Sequence, residues 1–305
     1  KKRNINLTHG EWFSFPDWMI ERWVDQFDEE DTLTLCDYFN SPPYIDVRLN
    51  TSQFELELIL NMIEKLGVNW EKSPESNKFI RVKSGVGKLL KSELFKVGMI
   101  NFQDRASGAV VELLDPQKGE TILDVCAAPG TKTNYIFERM NGDGHLFASD
   151  ISSRRLLKGR TRATDLKLPI KWLQKDASVD EFPMADRILI DAPCTGTGVI
   201  ARRPDIRWRR KVSDFDNMNI IQTNILNNMS KYLKPKGTIV YATCSLEKEE
   251  NWDVVSSFLE LNDNFIIKSQ NNLIPKEWIN NNKCLEIFPP NDKVDGMFAV
   301  NIQKI

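Results

Sequence analysis

Hydrophobic positions along this chain change period near residue 104. Ahead of that point Met19, Ile20, Trp23, Val24 and Phe27 recur at helical spacing behind Pro16-Asp17-Trp18, which predicts a helix. A second helix is expected to begin at Asp28-Glu29-Glu30 and to stop before Asn40-Ser41-Pro42-Pro43. Tyr44–Leu49 alternates in part and has the pattern of a strand. Ser52 and Glu55 have the spacing of a capping box. The helix behind them carries Leu56, Ile59, Leu60, Ile63 and Leu66 on one face and ends at Gly67. Phe79–Val82 is a further strand candidate, and the glycine- and lysine-spotted residues 84–98 have the composition of a connector.

From about residue 104 short apolar runs alternate with amphipathic stretches. Strands are predicted at Thr121–Cys126, His145–Asp150, Ile170–Gln174, Arg187–Asp191 and Gly237–Thr243, with helices near 105–115, 132–140, 152–165, 214–234 and 250–261. Phe265–Lys268 and Met297–Gln303 are late strands, and the Asn-rich stretch 270–282 is expected to be a surface loop. The alternation implies an α/β protein with a largely parallel, doubly wound, Rossmann-like sheet that takes its ligands at the carboxyl ends of the strands. Three parts are expected: a helical segment over 1–40, a small α+β subdomain over 41–100, and the α/β domain over 101–305.

Composition narrows the classes. The 305 residues are 41% hydrophobic and 28% charged, an ordinary globular balance that excludes collagen-like and wholly disordered chains. No apolar run approaches the length that spans a bilayer, and no signal peptide opens the chain. The basic opening Lys1-Lys2-Arg3-Asn4 reads as a short tail or as a cut into a longer parent. Five cysteines, Cys36, Cys126, Cys194, Cys244 and Cys284, form no CxxC pair, and no HExxH motif is present. No metal site is expected, and free thiols fit a cytoplasmic protein. With two histidines, His9 and His145, a cysteine–histidine protease has few possible bases. Net charge is −2, so any nucleic-acid contact has to come from local patches.

The candidate chemistry lies after the strands. The first is followed by Asp124-Val125-Cys126-Ala127-Ala128-Pro129-Gly130-Thr131-Lys132-Thr133. Small residues there let a ligand approach the backbone, and the next helix aims its amides at it. Val125 stands where a Walker glycine would fall, and no GxGxxG is present, so a nucleoside triphosphate or NAD is disfavoured. Asp150 ends the second strand, placed either to accept ribose hydroxyls or to open the next helix beside Ser152 and Ser153. Asp176 follows the third as a partner for an adenine amino group or as a plain turn residue. The fourth runs into Asp191-Ala192-Pro193-Cys194-Thr195-Gly196-Thr197-Gly198. The fifth ends in Tyr241-Ala242-Thr243-Cys244-Ser245, with Glu249-Glu250-Asn251 behind it. A lone free cysteine is most often core packing, but two at neighbouring strand ends put reactive sulfur on one crevice.

Asp124–Thr133, Asp191–Gly198 and Tyr241–Asn251 closely resemble the signature motifs of the RNA cytosine-5 methyltransferases of the Nop2/Sun (NSUN) and Fmu/RsmB family. Gln103-Asp104-Arg105-Ala106-Ser107 and Arg202-Arg203-Pro204-Asp205-Ile206-Arg207-Trp208 match as well. Pro16-Asp17-Trp18 and Arg48-Leu49-Asn50 are similar to the bacterial 16S ribosomal RNA RsmB-type subgroup. The resemblance covers about residues 15–305. It implies a class I S-adenosylmethionine-dependent methyltransferase sheet, with the 41–100 unit as an RRM-like RNA-binding subdomain.

Carried over residue by residue, the resemblance implies that Cys126, Ala127, Ala128, Pro129, Gly130, Thr131 and Lys132 surround S-adenosyl-L-methionine. Asp150 would take the ribose, Asp176 the adenine side, and Asp191 would lie near both methionine and target base. Cys244 matches the nucleophile, Cys194 the cysteine tied to product release, and Lys132 a lysine near the catalytic centre. Thr131 and Thr195 stand where Gly and Ser are frequent. In that chemistry a thiolate adds to carbon 6 of cytosine and loads electron density onto carbon 5. Lys132 would favour the thiolate of Cys244, and Asp191, best protonated, would hydrogen-bond ring nitrogen 3.

The implied substrate is RNA, ribosomal first and transfer RNA next. Arg202, Arg203, Arg207, Arg209, Arg210 and Lys211 crowd around Trp208, opposed only by Asp205, as a phosphate-gripping surface would. Arg154, Arg155, Lys158, Arg160 and Arg162 form a second set on or near one helix. A DNA cytosine-5 methyltransferase would use Cys194 as nucleophile, and Thr243-Cys244 argues against it. A non-catalytic ribosome-assembly scaffold is opposed by the presence of Cys244, Cys194 and Asp191. RsmB-type proteins carry an N-terminal NusB-like helical domain for which this chain leaves no room, so either that piece is cut away or this member lacks it. A cytoplasmic monomer is expected.

Overall fold

The change of period near residue 104 marks a change of sheet. The computed structural model describes residues 7–74, 76–268 and 273–305; the basic opening, with its two readings, lies outside them. Helices α1 (His9–Phe13), α2 (Asp17–Phe27) and α3 (Glu29–Phe39) come first. Asp28 caps α3 by accepting the Asp31 N–H at 3.0 Å. Their apolar faces enclose Phe15, Met19, Trp23, Leu35 and Phe39 together with Ile200, Ile206 and Leu246 from the second half of the chain. This segment therefore packs against the α/β domain.

Next come β1 (Ile45–Leu49), α4 (Leu56–Lys65), β2 (Asn69–Lys72), β3 (Phe79–Ser84), α5 (Val86–Lys91), α6 (Glu93–Lys96) and β4 (Ile100–Phe102). The antiparallel order β2-β3-β1-β4 is that of a split β-α-β unit. Two local expectations are corrected, and one strand carries no sequence signal. α4 starts at Leu56 with Glu55 at its cap and no side-chain cap bond, so Ser52 and Glu55 form no capping box. Residues 84–98 hold two helices that bury Leu89 and Leu94, and β2 is a polar, mostly exposed strand without an alternating signal.

Val47, Leu49, Ile80, Val82 and Ile100 pack onto Ile59, Ile63, Leu89 and Leu94. The other sheet face meets the α/β domain. There Arg48, fully buried, pairs with Glu138 and donates from Nε to Gln103 Oε1 at 2.7 Å. Its guanidinium lies 4.1 Å from the Tyr135 ring centre. Arg81 and Arg105 both reach the buried Asp46, at 2.9 and 3.2 Å. RRM sheets bind RNA by stacking bases on that face; here it is occupied by protein.

The α/β domain contains α7 (Arg105–Leu114), β5 (Thr121–Asp124), α8 (Thr131–Arg139), β6 (His145–Asp150), α9 (Ser153–Asp165), β7 (Lys171–Gln174) and β8 (Ala185–Asp191). It continues with α10 (Ile206–Arg209), α11 (Ser213–Ser230), β9 (Leu233–Thr243), α12 (Trp252–Leu261), β10 (Phe265–Ile267), β11 (Leu285–Ile287), α13 (Pro289–Asp292) and β12 (Met297–Lys304). The order is β10-β12-β9-β8-β5-β6-β7, with β11 on β12. β5 to β9 run parallel, and β12 is antiparallel to β9 and β10.

Side chains alternate through the sheet. Ile122, Leu189, Val240 and Ala299 face α7 and α8, while Leu123, Ile188, Ile239 and Val300 face α11 and α12. The order reverses at β5–β8, which opens a crevice above their carboxyl ends. Of the Asn-rich stretch, residues 270–272 lie outside the described ones. The rest departs from a surface loop, because Ile274 and Trp278 are buried in the core. Among the described residues no helix is long and apolar enough to cross a membrane.

Candidate active site

The turn after β5 prolongs the strand's bonding: Val125 N–H donates to Leu189 O at 3.1 Å and Ala127 N–H to Ser149 O at 2.8 Å. Gly130 closes it with φ +103° and starts α8. A Cβ at residue 130 would lie 2.8 Å from the Trp172 ring, so sterics and backbone both demand glycine. Asp124 is fully buried, accepts the Thr133 hydroxyl at 2.6 Å, and leaves Oδ1 without a partner. Burial pushes its carboxyl up to about 7.

Asp150, at the end of β6, accepts the Ser152 N–H at 2.9 Å and the Ala128 N–H at 3.3 Å, with Arg155 3.3 Å away. It thus orders the turn leading into α9, which Ser152 caps, and also faces the β5 turn. Asp176 takes the Ser178 N–H at 2.9 Å and its hydroxyl at 2.6 Å through Oδ1, which is turn chemistry.

The sulfurs of Cys194 and Cys244 lie 3.2 Å apart. That shared hydrogen bond, ahead of burial, pushes the Cys194 thiol well above its ordinary value. The backbones meet equally closely, with Gly198 N–H donating to Cys244 O at 2.9 Å and Gly296 N–H to Gly198 O at 2.9 Å. A Cβ on residue 198 would fall 2.5 Å from Gly296 O and 2.9 Å from Cys244 O.

Lys132 Nζ lies 2.8 Å from Asp191 Oδ2. Burial disfavours the ammonium, but the charge and hydrogen bond of Asp191 outweigh it and Cys244 adds to them, so the affinity of Lys132 for its proton rises. Cys126, Lys132, Asp191, Cys194 and Cys244 are each partly exposed within largely buried runs, and they border one crevice.

Several contacts that hold this crevice carry no signal in the sequence. Trp23 Nε1 donates to Glu247 Oε1 at 3.1 Å and Gln26 Nε2 to Leu246 O at 2.7 Å, which ties the turn after Cys244 to α2. Thr243 Oγ1 donates to Asn251 Oδ1 at 2.5 Å, and Asn251 Nδ2 to Ser245 O at 3.0 Å. No local periodicity signals contacts this far apart in sequence.

The basic cluster around Trp208 divides. Arg202 is spent on Asp104 at 2.8 Å and Asp295 at 2.7 Å. Arg207 is buried, 3.9 Å from the Phe15 ring centre and donating to Asn40 Oδ1 at 2.9 Å. Arg210 Nε donates to Thr195 O at 2.8 Å. These three are corrected to internal roles, because each meets fixed protein acceptors. Arg203, Trp208 and Arg209 point outward, Arg209 pairing with Asp205 at 3.1 Å. On α9, Arg154, Lys158 and Arg160 are exposed, whereas Arg162 stacks on Phe95 at 4.4 Å.

The carboxylates of Asp124, Asp150 and Asp191 lie close enough to act on the Cys126 thiol together. Beside the glycine turn, Asp150 and Asp191 make this end of the crevice suit a cationic ligand with a ribose better than an anionic phosphate.

Comparison with known proteins agrees with the geometry. The family described as 16S rRNA methyltransferase RsmB/F matches residues 111–303. An RsmF/B-like ferredoxin-like domain matches residues 15–87. The chain is 30% identical to the probable ribosomal RNA small subunit methyltransferase B of Synechocystis sp., covering 98% of this chain and 68% of that protein. It is 33% identical to ribosomal RNA small subunit methyltransferase B of Pectobacterium atrosepticum, covering 97% and 68%. The chain thus spans about two thirds of these relatives' length. A solved methyltransferase homolog protein from Pyrococcus horikoshii shares the fold, with TM-score 0.83, 23% identity, and 97% and 98% of the two chains covered.

Proposed function

Because this chain belongs to the RsmB/F family of methyltransferases, we propose that it methylates carbon 5 of a cytosine in small-subunit ribosomal RNA, with S-adenosyl-L-methionine as methyl donor. The observation that carries this reading is the 3.2 Å separation of the Cys194 and Cys244 sulfurs beside the Lys132–Asp191 pair. Methylation of a ring nitrogen or a ribose oxygen needs no such pair of thiols.

The bound donor supplies an electrophilic methyl group on a sulfonium. The Cys126–Lys132 turn would hold it, with Asp150 on the ribose, the free Oδ2 of Asp176 toward the adenine, and Asp191 complementing its positive charge. Cys244 is the nucleophile. Its thiolate forms a bond to carbon 6, the ring loses conjugation, and carbon 5 becomes electron-rich.

The Lys132–Asp191 pair carries a proton at the mouth of the crevice, placed to stabilise charge that builds on the ring. Carbon 5 bonds to the methyl group as the bond from that methyl to the donor sulfur breaks, the carbon 5 proton passes to water, and rupture of the Cys244–carbon 6 bond restores the ring. Cys194, 3.2 Å away, is placed to hydrogen-bond the departing Cys244 thiolate. Arg203, Trp208 and Arg209 form an outward surface on which an unstacked strand could lie.

Bisulfite mapping of RNA from cells with and without the gene tests the substrate. A protected cytosine in small-subunit ribosomal RNA should vanish with the gene and return with the intact chain. Loss of protection in transfer RNA alone would move the substrate there, and no change at any cytosine would refute cytosine methylation.

A further inference from the structure

We propose that Glu250 is the positioning residue of the thiol pair: its carboxylate joins the turn carrying Cys194 to the turn carrying Cys244 and fixes how closely the two sulfurs approach. This rests on the proposed reaction for its consequence, though not for its geometry. Glu250 has no exposed surface. One oxygen accepts the Thr195 N–H at 2.8 Å and Gln222 Nε2 at 3.1 Å. The other accepts the hydroxyls of Thr195 and Ser245. Thr195 follows Cys194 and Ser245 follows Cys244, so one carboxylate bridges the residues adjoining both sulfurs. Its own backbone is fixed by Tyr241 Oη, which donates to Glu250 O at 2.5 Å, and Gln222 Nε2 also holds Pro193 O at 2.9 Å.

The chemistry of the side chain suits this task. A carboxylate only accepts, and each of its four contacts supplies a donor. An amide at this place would turn its NH2 toward at least one of those donors. No cation is among the four contacts, and an anion buried on hydrogen bonds alone is a costly way to join two turns. Burial raises the affinity of Glu250 for a proton, and the donors of Ser245, Thr195 and Gln222 work against that rise.

The test uses the full chain and two readouts. Diamide takes two electrons and two protons from a pair of close thiols and leaves a disulfide, and mass spectrometry of the Cys194–Cys244 peptide gives its rate without any methylation. Steady-state kinetics on RNA gives kcat and KM. Glu250→Gln should slow cross-linking and lower kcat by about tenfold or more, with KM for RNA unchanged. Thr195→Val, which removes one hydroxyl donor, should act in the same direction and less strongly, and it decides the matter if Glu250→Gln does not fold. Wild-type cross-linking and kcat in these variants would overturn the proposal, as would a loss confined to KM. If the wild-type chain cross-links but methylates no cytosine, the reaction assignment fails while the cross-linking comparison still judges Glu250.

Discussion

Trp23 Nε1 donates a 3.1 Å hydrogen bond to Glu247 Oε1 across 224 residues of sequence. Glu247 is fully buried, and Arg22, stacked 4.4 Å from the Phe215 ring centre, also contacts it. The turn after Cys244 has little core of its own. Leu246 finds one among the N-terminal helices, so α2 braces the nucleophile's loop and sets it on a rigid support.

Trp23→Phe keeps most of the apolar packing and removes the donor, leaving Glu247 Oε1 short of a partner. We expect a loss of about 1–3 kcal/mol in urea unfolding together with reduced methyl transfer. Unchanged stability and turnover would mean that α2 does not brace this loop.

The divided basic cluster predicts two phenotypes. Arg207→Ala should cost about 2 kcal/mol or more of stability, through lost packing and buried hydrogen bonds, while the folded fraction keeps its RNA affinity. Arg203→Ala should leave the melting temperature alone, weaken RNA binding, and lower the salt slope by about 1. Trp208→Ala should cost about 1–3 kcal/mol of RNA binding through lost stacking. Filter binding across a salt series, set beside thermal melts, separates the two groups.

Asp124 gives a pH dependence with a definite sign. Its carboxyl is raised in the folded protein from 3.8 to about 7, so between those values the native state binds more protons than the unfolded one. Stability from this residue therefore falls as pH rises through that window, by up to about 1.4 kcal/mol per pH unit, and none of it remains to be lost above the folded value. Asp124→Asn should flatten that slope in urea titrations between pH 4 and pH 7, and parallel slopes for the two proteins would contradict the assignment.

Lys132→Gln removes the proton carried beside Asp191 and leaves the length of the side chain nearly intact. Single-turnover methyl transfer should drop about a hundredfold, with RNA affinity preserved. A full rate would exclude Lys132 from the chemistry.

Much of this was legible in the sequence, for physical reasons. The α/β strands bury side chains on both faces, so they appear as short apolar runs, and motif residues at their ends land on one crevice because parallel strands point the same way. β2 escaped because an exposed edge strand carries no alternation. The helices at Val86–Lys91 and Glu93–Lys96 are too short for a periodic signal. Composition also misassigned Arg202 and Arg207, since a charge run does not reveal which members meet acceptors such as Asp295 or Asn40. Glu250 was quoted only as part of a motif; its partners Thr195 and Gln222 come from distant segments.

Trapping on RNA puts the division of labour between the two sulfurs to the proof. Each single cysteine variant is incubated with small-subunit ribosomal RNA and methyl donor, then resolved under denaturing conditions that preserve a thioether. Cys194→Ala should accumulate a protein–RNA adduct attached through residue 244, and Cys244→Ala should form none. An adduct that persists in Cys244→Ala, or one mapped to Cys194 in the wild-type chain, would contradict the assignment of Cys244 as nucleophile.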